Sequence, residues 1–228
     1  MYNENIVTRF NTKKLTVLAM FVALSYLCVF VFRFKVQFLS FELSDVFITI
    51  AGFAFGPIAA IGIALAKSLL EMVTIADTGF YGAIMNFASS AAFAGVASVI
   101  YKYKKSLTGA VLSMAGAIFA RTVIIILMNI LITPFYMKCP REVVIGMIPT
   151  LLLPFNLVKA FMNAGLVFLL YKPLSNALKN IGVMPKGDGV FSIDKKNIAV
   201  VIISAIVVIG AIVALLVFMN GNFEWIKK

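Results

Sequence analysis

Histidine is absent from the 228-residue chain, cysteine occurs only twice, and charged residues make up only 13%. Cys28 lies within an apolar run and Cys139 between two such runs, so the sequence predicts neither a histidine-type metal site nor a disulfide framework. A soluble domain has about a quarter charged residues, so this charge content excludes that class. No G-x-x-x-x-G-K-[ST] phosphate loop occurs, and without histidine the usual base for a nucleophile is missing, which disfavours an enzyme.

Apolar residues account for 62% of the chain and are grouped in long runs. A bilayer span needs about 20 such residues, so we predict an all-α, polytopic membrane helical bundle with a six-helix core and an extra C-terminal transmembrane helix. The first run is followed by no signal-peptide cleavage site, so we expect it to be retained. The run 46–76 is too long for one straight span, and we expect Gly56 and Pro57 to divide it.

The remaining span limits follow from charges and prolines. We predict that the fifth span stops at Pro134, and that Pro149 and Pro154 interrupt the start of the sixth, which continues to about Tyr171. Residues 1–178 then form the six-span core, 179–197 a cytoplasmic linker rich in glycine and proline, and 198–228 an additional hydrophobic helix and tail. The final apolar run is Ile198–Met219.

Positive charge predicts the orientation of the spans. With the N-terminus in the cytoplasm, the segments before the last span place eleven basic residues on the cytoplasmic side and four on the other, as the positive-inside rule expects. The four are Arg33, Lys35, Lys138 and Arg141. The last span would place Lys227 and Lys228 outside as well, which is a mild conflict with that rule. Because most of the basic residues flank spans, the net charge of +11 indicates a membrane protein rather than a nucleic-acid-binding protein.

Four ionisable residues fall within the predicted spans: Lys67, Glu71, Arg121 and Lys159. Such groups are costly in lipid and usually face a cavity or a partner. Lys67 and Glu71 are four residues apart, so a structural ion pair on one helix face is the favoured interpretation. For Arg121, pairing with Glu71, a phosphate or a helix C-terminus all remain open.

Amides accompany Lys159. Asn156 and Asn163 share its helix face, and Asn129 on the preceding helix lies at a similar depth. An amide offers both a donor and an acceptor and lysine adds donors, a set that suits the edge of a neutral heteroaromatic ligand. Hydrogen bonding between helices is an equally good interpretation of these residues. For Asn86, a packing or helix-bonding role is the more expected one.

Two further patterns have open interpretations. Residues 33–44 form a predicted outer loop with aromatic residues between polar ones, which fits either an interfacial belt or a lid over a ligand. The small-residue pairs Ala19 with Ala23, and Gly52 with Gly56, permit close helix contact. Intramolecular packing is the default for such pairs, and docking of another subunit is the alternative.

Five segments together carry a family resemblance over about residues 10–178. They are FLSFELSDV from Phe38, GFAFGP from Gly52, MNFASS from Met85, NILITP from Asn129 and LPFNLVK from Leu153. In order and spacing they resemble the riboflavin-binding S components of energy-coupling factor (ECF) transporters. The resemblance implies a cell-membrane subunit that captures riboflavin from outside as its substrate, with no separate cofactor. It also implies association with a transmembrane coupling subunit and two cytoplasmic ATPase subunits.

By position, the resemblance also implies roles for individual residues. Asn129, Asn156 and Lys159 match polar flavin contacts, the segment Leu39, Ser40 and Phe41 matches a lid, and Ala19 with Ala23 matches the contact to the coupling subunit. We add Asn86 and Asn163 to the predicted substrate-binding residues and predict no metal site. The seventh apolar run departs from the six-helix pattern.

Other functions stay open from the sequence. They are an S component for another vitamin, a non-transporting membrane scaffold, and an ion-coupled carrier acting alone through Lys67 and Glu71.

Overall fold

The computed structural model describes residues 12–36, 38–75, 78–182 and 195–218. These residues form eight α-helices and one short antiparallel hairpin. The helices are α1 Thr12–Val31, α2 Asp45–Phe55, α3 Pro57–Thr74, α4 Gly79–Tyr103, α5 Leu107–Met137, α6 Arg141–Met147, α7 Leu153–Asn180 and α8 Lys195–Phe218. The strands are β1 Phe34–Val36 and β2 Leu39–Phe41. In the described part of the chain, six helical stretches are long and apolar enough to cross a membrane, and α2 is a shorter apolar helix. The predicted all-α bundle with an extra C-terminal helix is thereby confirmed.

The predicted break at Gly56 and Pro57 is confirmed. Gly56 ends α2 with a φ of 95°, a conformation that residues with a Cβ rarely adopt. Pro57 begins α3, where its missing N–H is not needed. Gly52, four residues earlier, serves packing inside the chain, because a Cβ there would lie 2.0 Å from Ser98 Oγ.

The predicted stop at Pro134 was wrong, and the predicted interruption at Pro149 and Pro154 is a change of helix type rather than a break in the helix. α5 continues through Pro134 to Met137, so the proline is followed by less than one further turn. Residues 141–180 form one continuous helical stretch, in which a π-helical turn, Ile148–Leu152, joins α6 to α7. Pro149 lies near the start of the π-helical turn and Pro154 near the start of α7, so the helical hydrogen-bond pattern changes where these prolines lack an N–H donor.

The bundle has two ends of different composition. We call the end with the β-hairpin, the start of α2 and the end of α3 the hairpin end, and the end with Gly56 and the close of α4 the opposite end. At the hairpin end Phe41 packs with Leu152 and Phe155. At the opposite end Phe53 contacts Tyr101, with ring centroids 4.2 Å apart.

The additional helix α8 packs along α7. A Cβ on Gly165 of α7 would lie 2.7 Å from Val208 Cγ2 and 3.1 Å from the Ser204 carbonyl oxygen, so this glycine permits the close approach. Ala211 and Leu215 of α8 join the apolar cluster at the hairpin end. Residues 183–194 of the predicted linker, and Met219 of the last apolar run, lie outside the described residues. The domain boundaries stay a prediction.

Candidate functional site

A cavity of about 90 Å³ lies at the hairpin end, between the hairpin and helices α3, α4, α5 and α7. Six of the predicted substrate-binding residues lie in its wall: Leu39, Ser40, Asn86, Asn129, Asn156 and Lys159. The wall also contains apolar side chains, among them Phe38, Met85, Ile125 and Phe155. The fold therefore brings amides from three helices and the ammonium group of α7 to one recess.

The other two predicted substrate-binding residues lie behind this wall. Phe41 is fully buried and stacks on Phe34, with ring centroids 4.7 Å apart. Asn163 is also fully buried, and its Nδ2 donates to the Lys159 carbonyl oxygen at 2.8 Å and to that of Glu42 at 3.3 Å. Neither residue is part of the cavity wall. They support the hairpin and α7 rather than facing the recess, and a direct ligand contact for them stays a prediction.

Two of the three amides in the wall, Asn129 and Asn156, bond within their own helices, whereas Asn86 of α4 donates to Glu71 of α3. Asn129 Nδ2 donates to the Ile125 carbonyl oxygen at 2.8 Å, and Thr133 Oγ1 donates to Asn129 Oδ1 at 2.9 Å. Asn156 Nδ2 donates to the Leu152 carbonyl oxygen at 2.8 Å. Each Nδ2 carries two N–H groups, so one bond of this kind orients the amide and leaves a second donor for the cavity.

The β-hairpin forms one side of the cavity because several side chains hold it in place. Lys159 Nζ donates to the Ser40 carbonyl oxygen at 3.0 Å. Arg33 Nη1 donates to the Ile75 carbonyl oxygen at 2.7 Å, and Arg33 Nη2 donates to Ser40 Oγ at 3.2 Å. The predicted outer loop is thus an ordered hairpin that contacts both α7 and the end of α3.

Buried ion pairs reach into the cavity wall, which includes Glu71 and Arg121. Lys67 Nζ is 2.7 Å from Glu71 Oε1, which confirms the predicted pair, and 2.9 Å from Glu42 Oε1. Asn86 Nδ2 donates to Glu71 Oε2 at 2.9 Å. All of these charged side chains are almost completely buried, so in a low-dielectric interior each depends on its partners.

Arg121 pairs with Asp45, and none of the three partners suggested by the sequence is its ion-pair partner. The pair joins α5 to the first residue of α2, and both side chains are buried. Glu42 and Asp45 were missed because they lie in the predicted loop and at its junction with a span. The sequence contained one signal that could have found them. The predicted spans hold three basic residues but only one acidic residue, and adding Glu42 and Asp45 gives three acidic residues to match the three basic ones.

Glu42 lies outside the membrane-spanning helices but is buried between them. Burial by itself would raise the pKa of its carboxyl group, but the Lys67 and Lys159 ammonium groups hold that pKa below its ordinary value. Lys159 Nζ is 3.5 Å from Glu42 Oε1. Glu42 is therefore a carboxylate shared by two ammonium groups from different helices.

The small-residue pair on α1 lies away from the cavity. Ala19 and Ala23 are both exposed on the bundle surface, and neither belongs to the cavity wall. In the described residues no group of three or more histidine, cysteine, aspartate or glutamate side chains is arranged to hold a metal ion.

An apolar helical bundle with a buried polar recess beneath a hairpin is the architecture of a membrane protein that binds a small molecule. The family profile described as ECF transporter, substrate-specific component, matches residues 13–175. The chain belongs to this family of multi-pass membrane transport components and is not an enzyme.

Two relatives agree with the family. A riboflavin transporter, RibU, of Staphylococcus aureus (strain TCH60) is 30% identical over 180 residues, which cover 74% of this chain and 94% of the relative. A solved structure described as the S component of a bacterial ECF transporter matches with a TM-score of 0.63 and 29% identity, covering 74% of this chain and 98% of the other. Helix α8 lies beyond the residues that the family profile matches.

Proposed function

We propose that the substrate of this S component is riboflavin, taken up from the extracytoplasmic side with the N-terminus of the chain in the cytoplasm. The observation that carries the proposal is the shared recess, whose wall contains Asn129, Asn156 and Lys159. The 30% identity to a riboflavin transporter supports the same substrate. In this proposal the hairpin end faces outward, and Leu39 and Ser40 cover the bound vitamin.

The chemistry of the wall suits a flavin. The isoalloxazine ring has broad apolar faces, which Phe38, Met85 and Phe155 can cover, and a polar edge of carbonyl and ring nitrogen groups. Once water is excluded, those edge groups need partners. Amides supply both donors and acceptors, and the ammonium group of Lys159 supplies donors to carbonyl oxygens.

The hairpin has to move for a vitamin to enter. The cavity volume of about 90 Å³ is smaller than the roughly 300 Å³ at the lower end of ligand pockets. We expect the hairpin to be the element that moves. Its two short strands are held to the bundle mainly by side-chain hydrogen bonds, such as those of Arg33 and Lys159, which can break without unfolding a helix. Outward movement of the hairpin would open the recess, and its return would exclude water.

Release toward the cytoplasm requires energy from other subunits. We infer that a transmembrane coupling subunit and two cytoplasmic ATPase subunits supply it, because the chain has no phosphate loop of its own. The exposed pair Ala19 and Ala23 on α1 gives a flat face on which a partner helix can pack closely. In this proposal that face is the docking surface.

An ion-coupled carrier through Lys67 and Glu71 has less support. Both residues belong to a buried network that also includes Glu42 and Asn86, which gives them a structural role. A different vitamin as the substrate remains the competing proposal. Membership of the family does not specify the vitamin, because the residues that line the recess determine which ligand binds.

Titration of the purified, flavin-free protein with riboflavin tests the proposal. Flavin fluorescence should be quenched in a saturable manner, and excess unlabelled thiamine or biotin should not compete. A folded sample that leaves the fluorescence unchanged would reject riboflavin as the substrate. Vesicles containing only this chain should show no uptake driven by a pH or sodium gradient, and uptake there would favour the ion-coupled carrier.

A further inference from the structure

Glu42 connects the hairpin to two helices at once. It is 3% exposed and follows β2 directly. Its Oε1 is 2.9 Å from Lys67 Nζ on α3 and 3.5 Å from Lys159 Nζ on α7. Its backbone carbonyl oxygen accepts from Asn163 Nδ2 at 3.3 Å. The segment that leaves the hairpin is therefore fixed by side chains of α3 and α7.

Lys159 divides its contacts between the hairpin and the cavity. Its ammonium group donates to the Ser40 carbonyl oxygen at 3.0 Å, lies 3.5 Å from the Glu42 carboxylate, and is part of the cavity wall. An ammonium group has three N–H donors. One of them donates to the Ser40 carbonyl oxygen, and the nearby Glu42 carboxylate attracts the ammonium group, so the hairpin and the residue after it restrict where the remaining donors point. A seated hairpin thus also sets the donor that a ligand would meet.

Glu42 itself does not line the cavity. Its carboxylate reaches the cavity wall through two partners: Lys159, which lies in the wall, and Lys67, which also pairs with the wall residue Glu71. Lys67 has a second carboxylate partner in Glu71, with Nζ and Oε1 2.7 Å apart. In the described part of the chain, Glu42 is the carboxylate that forms an ion pair with Lys159, so neutralising it affects Lys159 more than Lys67.

We propose that Glu42 is a positioning residue that couples seating of the hairpin to orientation of the Lys159 ammonium group toward the substrate. The proposal rests on the proposed function in so far as the substrate is riboflavin. Glu42 makes no contact with the substrate. It acts at the moment of closure, when the carboxylate and the Ser40 carbonyl group reach Lys159 together.

The first measurement is a double-mutant cycle on riboflavin affinity. Glu42→Gln keeps the side-chain shape and removes the charge, and we expect it to weaken binding about tenfold, mainly through faster dissociation. Lys159→Met alone should weaken binding as well. In the Lys159→Met background, Glu42→Gln should cause a smaller fold loss than in the wild-type protein, because its direct connection to the ligand through Lys159 is already removed. Equal fold losses from Glu42→Gln in both backgrounds would overturn the proposal.

Matched controls separate positioning from loss of fold. Glu142→Gln removes an exposed carboxylate on α6 and should leave the affinity unchanged. Glu42→Asp retains the charge and should bind more tightly than Glu42→Gln. If the wild-type protein binds riboflavin and Glu42→Gln binds equally tightly, the positioning role is wrong while the substrate assignment stands.

A second measurement does not depend on the substrate. Amide hydrogen exchange of the ligand-free protein should be faster in residues 34–41 for both Glu42→Gln and Lys159→Met, and unchanged in α4. Unchanged exchange in the hairpin of the folded Glu42→Gln variant would also overturn the proposal. If the wild-type protein fails to bind riboflavin, the proposed function is rejected, and the exchange measurement still decides whether Glu42 and Lys159 seat the hairpin.

Discussion

The two ends of the bundle are stabilised in different ways. At the hairpin end, three buried cations meet three buried carboxylates beside a recess lined by amides. At the opposite end, Phe53, Tyr101 and Tyr171 pack as an aromatic cluster with one hydroxyl–hydroxyl hydrogen bond of 3.2 Å. Burial of charge is costly, whereas aromatic packing is favourable without a ligand. We infer that the hairpin end is built for binding and the opposite end for holding the helices together.

The largest effect should come from breaking the Arg121–Asp45 pair at the hairpin end. Arg121→Met leaves the Asp45 carboxylate buried without its cation, which costs about 3 to 5 kcal/mol of folding stability. Thermal unfolding followed by size-exclusion chromatography in detergent measures this loss. The double variant Arg121→Met, Asp45→Asn should recover much of it. A single variant as stable as the wild type would show that the pair contributes little.

A smaller effect, on binding rather than on folding, is expected for the recess. Asn129→Ala removes a donor and an acceptor from the wall, and an unpaired polar group on the ligand costs about 1 to 3 kcal/mol. The riboflavin dissociation constant, measured by fluorescence quenching, should rise by about 5- to 150-fold. The exposed Asn176 at the far end of α7 provides the control, since Asn176→Ala should leave binding unaltered.

At the opposite end, a substitution is expected to lower the stability of the protein but not its affinity for riboflavin. Tyr171→Phe removes the hydroxyl that faces Tyr101 and should reduce stability by about 0.5 to 1.5 kcal/mol. The dissociation constant for riboflavin should stay the same, because neither tyrosine lines the recess. Thermal unfolding and fluorescence titration of the same sample check both parts. A weaker affinity without a loss of stability would contradict the division between the two ends.

The smallest effect on the isolated protein is expected for α1. Ala19→Leu enlarges an exposed side chain on the proposed docking face, so stability and riboflavin affinity should both remain at the wild-type level. Uptake by cells that contain the whole transporter should fall. Ala115→Leu makes the same enlargement on an exposed position of α5 and should leave uptake intact. Equal uptake by both variants would argue against docking through Ala19.

Part of the candidate site was accessible from the sequence. Asn129, Asn156 and Lys159 are polar residues within apolar runs, and that contrast is visible without a structure. Asn163 shares the same face of α7, yet it points to the backbone of Glu42 rather than to the recess. The helical repeat shows which residues share one side of a helix. It does not show which neighbouring element each of those residues contacts along the length of the helix.

The sequence alone determined the membrane class, the number of spans and the break at Gly56 and Pro57. These features follow from the thickness of the bilayer and from the backbone limits of glycine and proline, which act over a few residues. The tertiary structure decided that Arg121 pairs with Asp45, 76 residues away, and that Lys159 meets Ser40, 119 residues away. Such pairs depend on how the helices pack against one another, and a charge has no preferred partner until that packing brings one within reach.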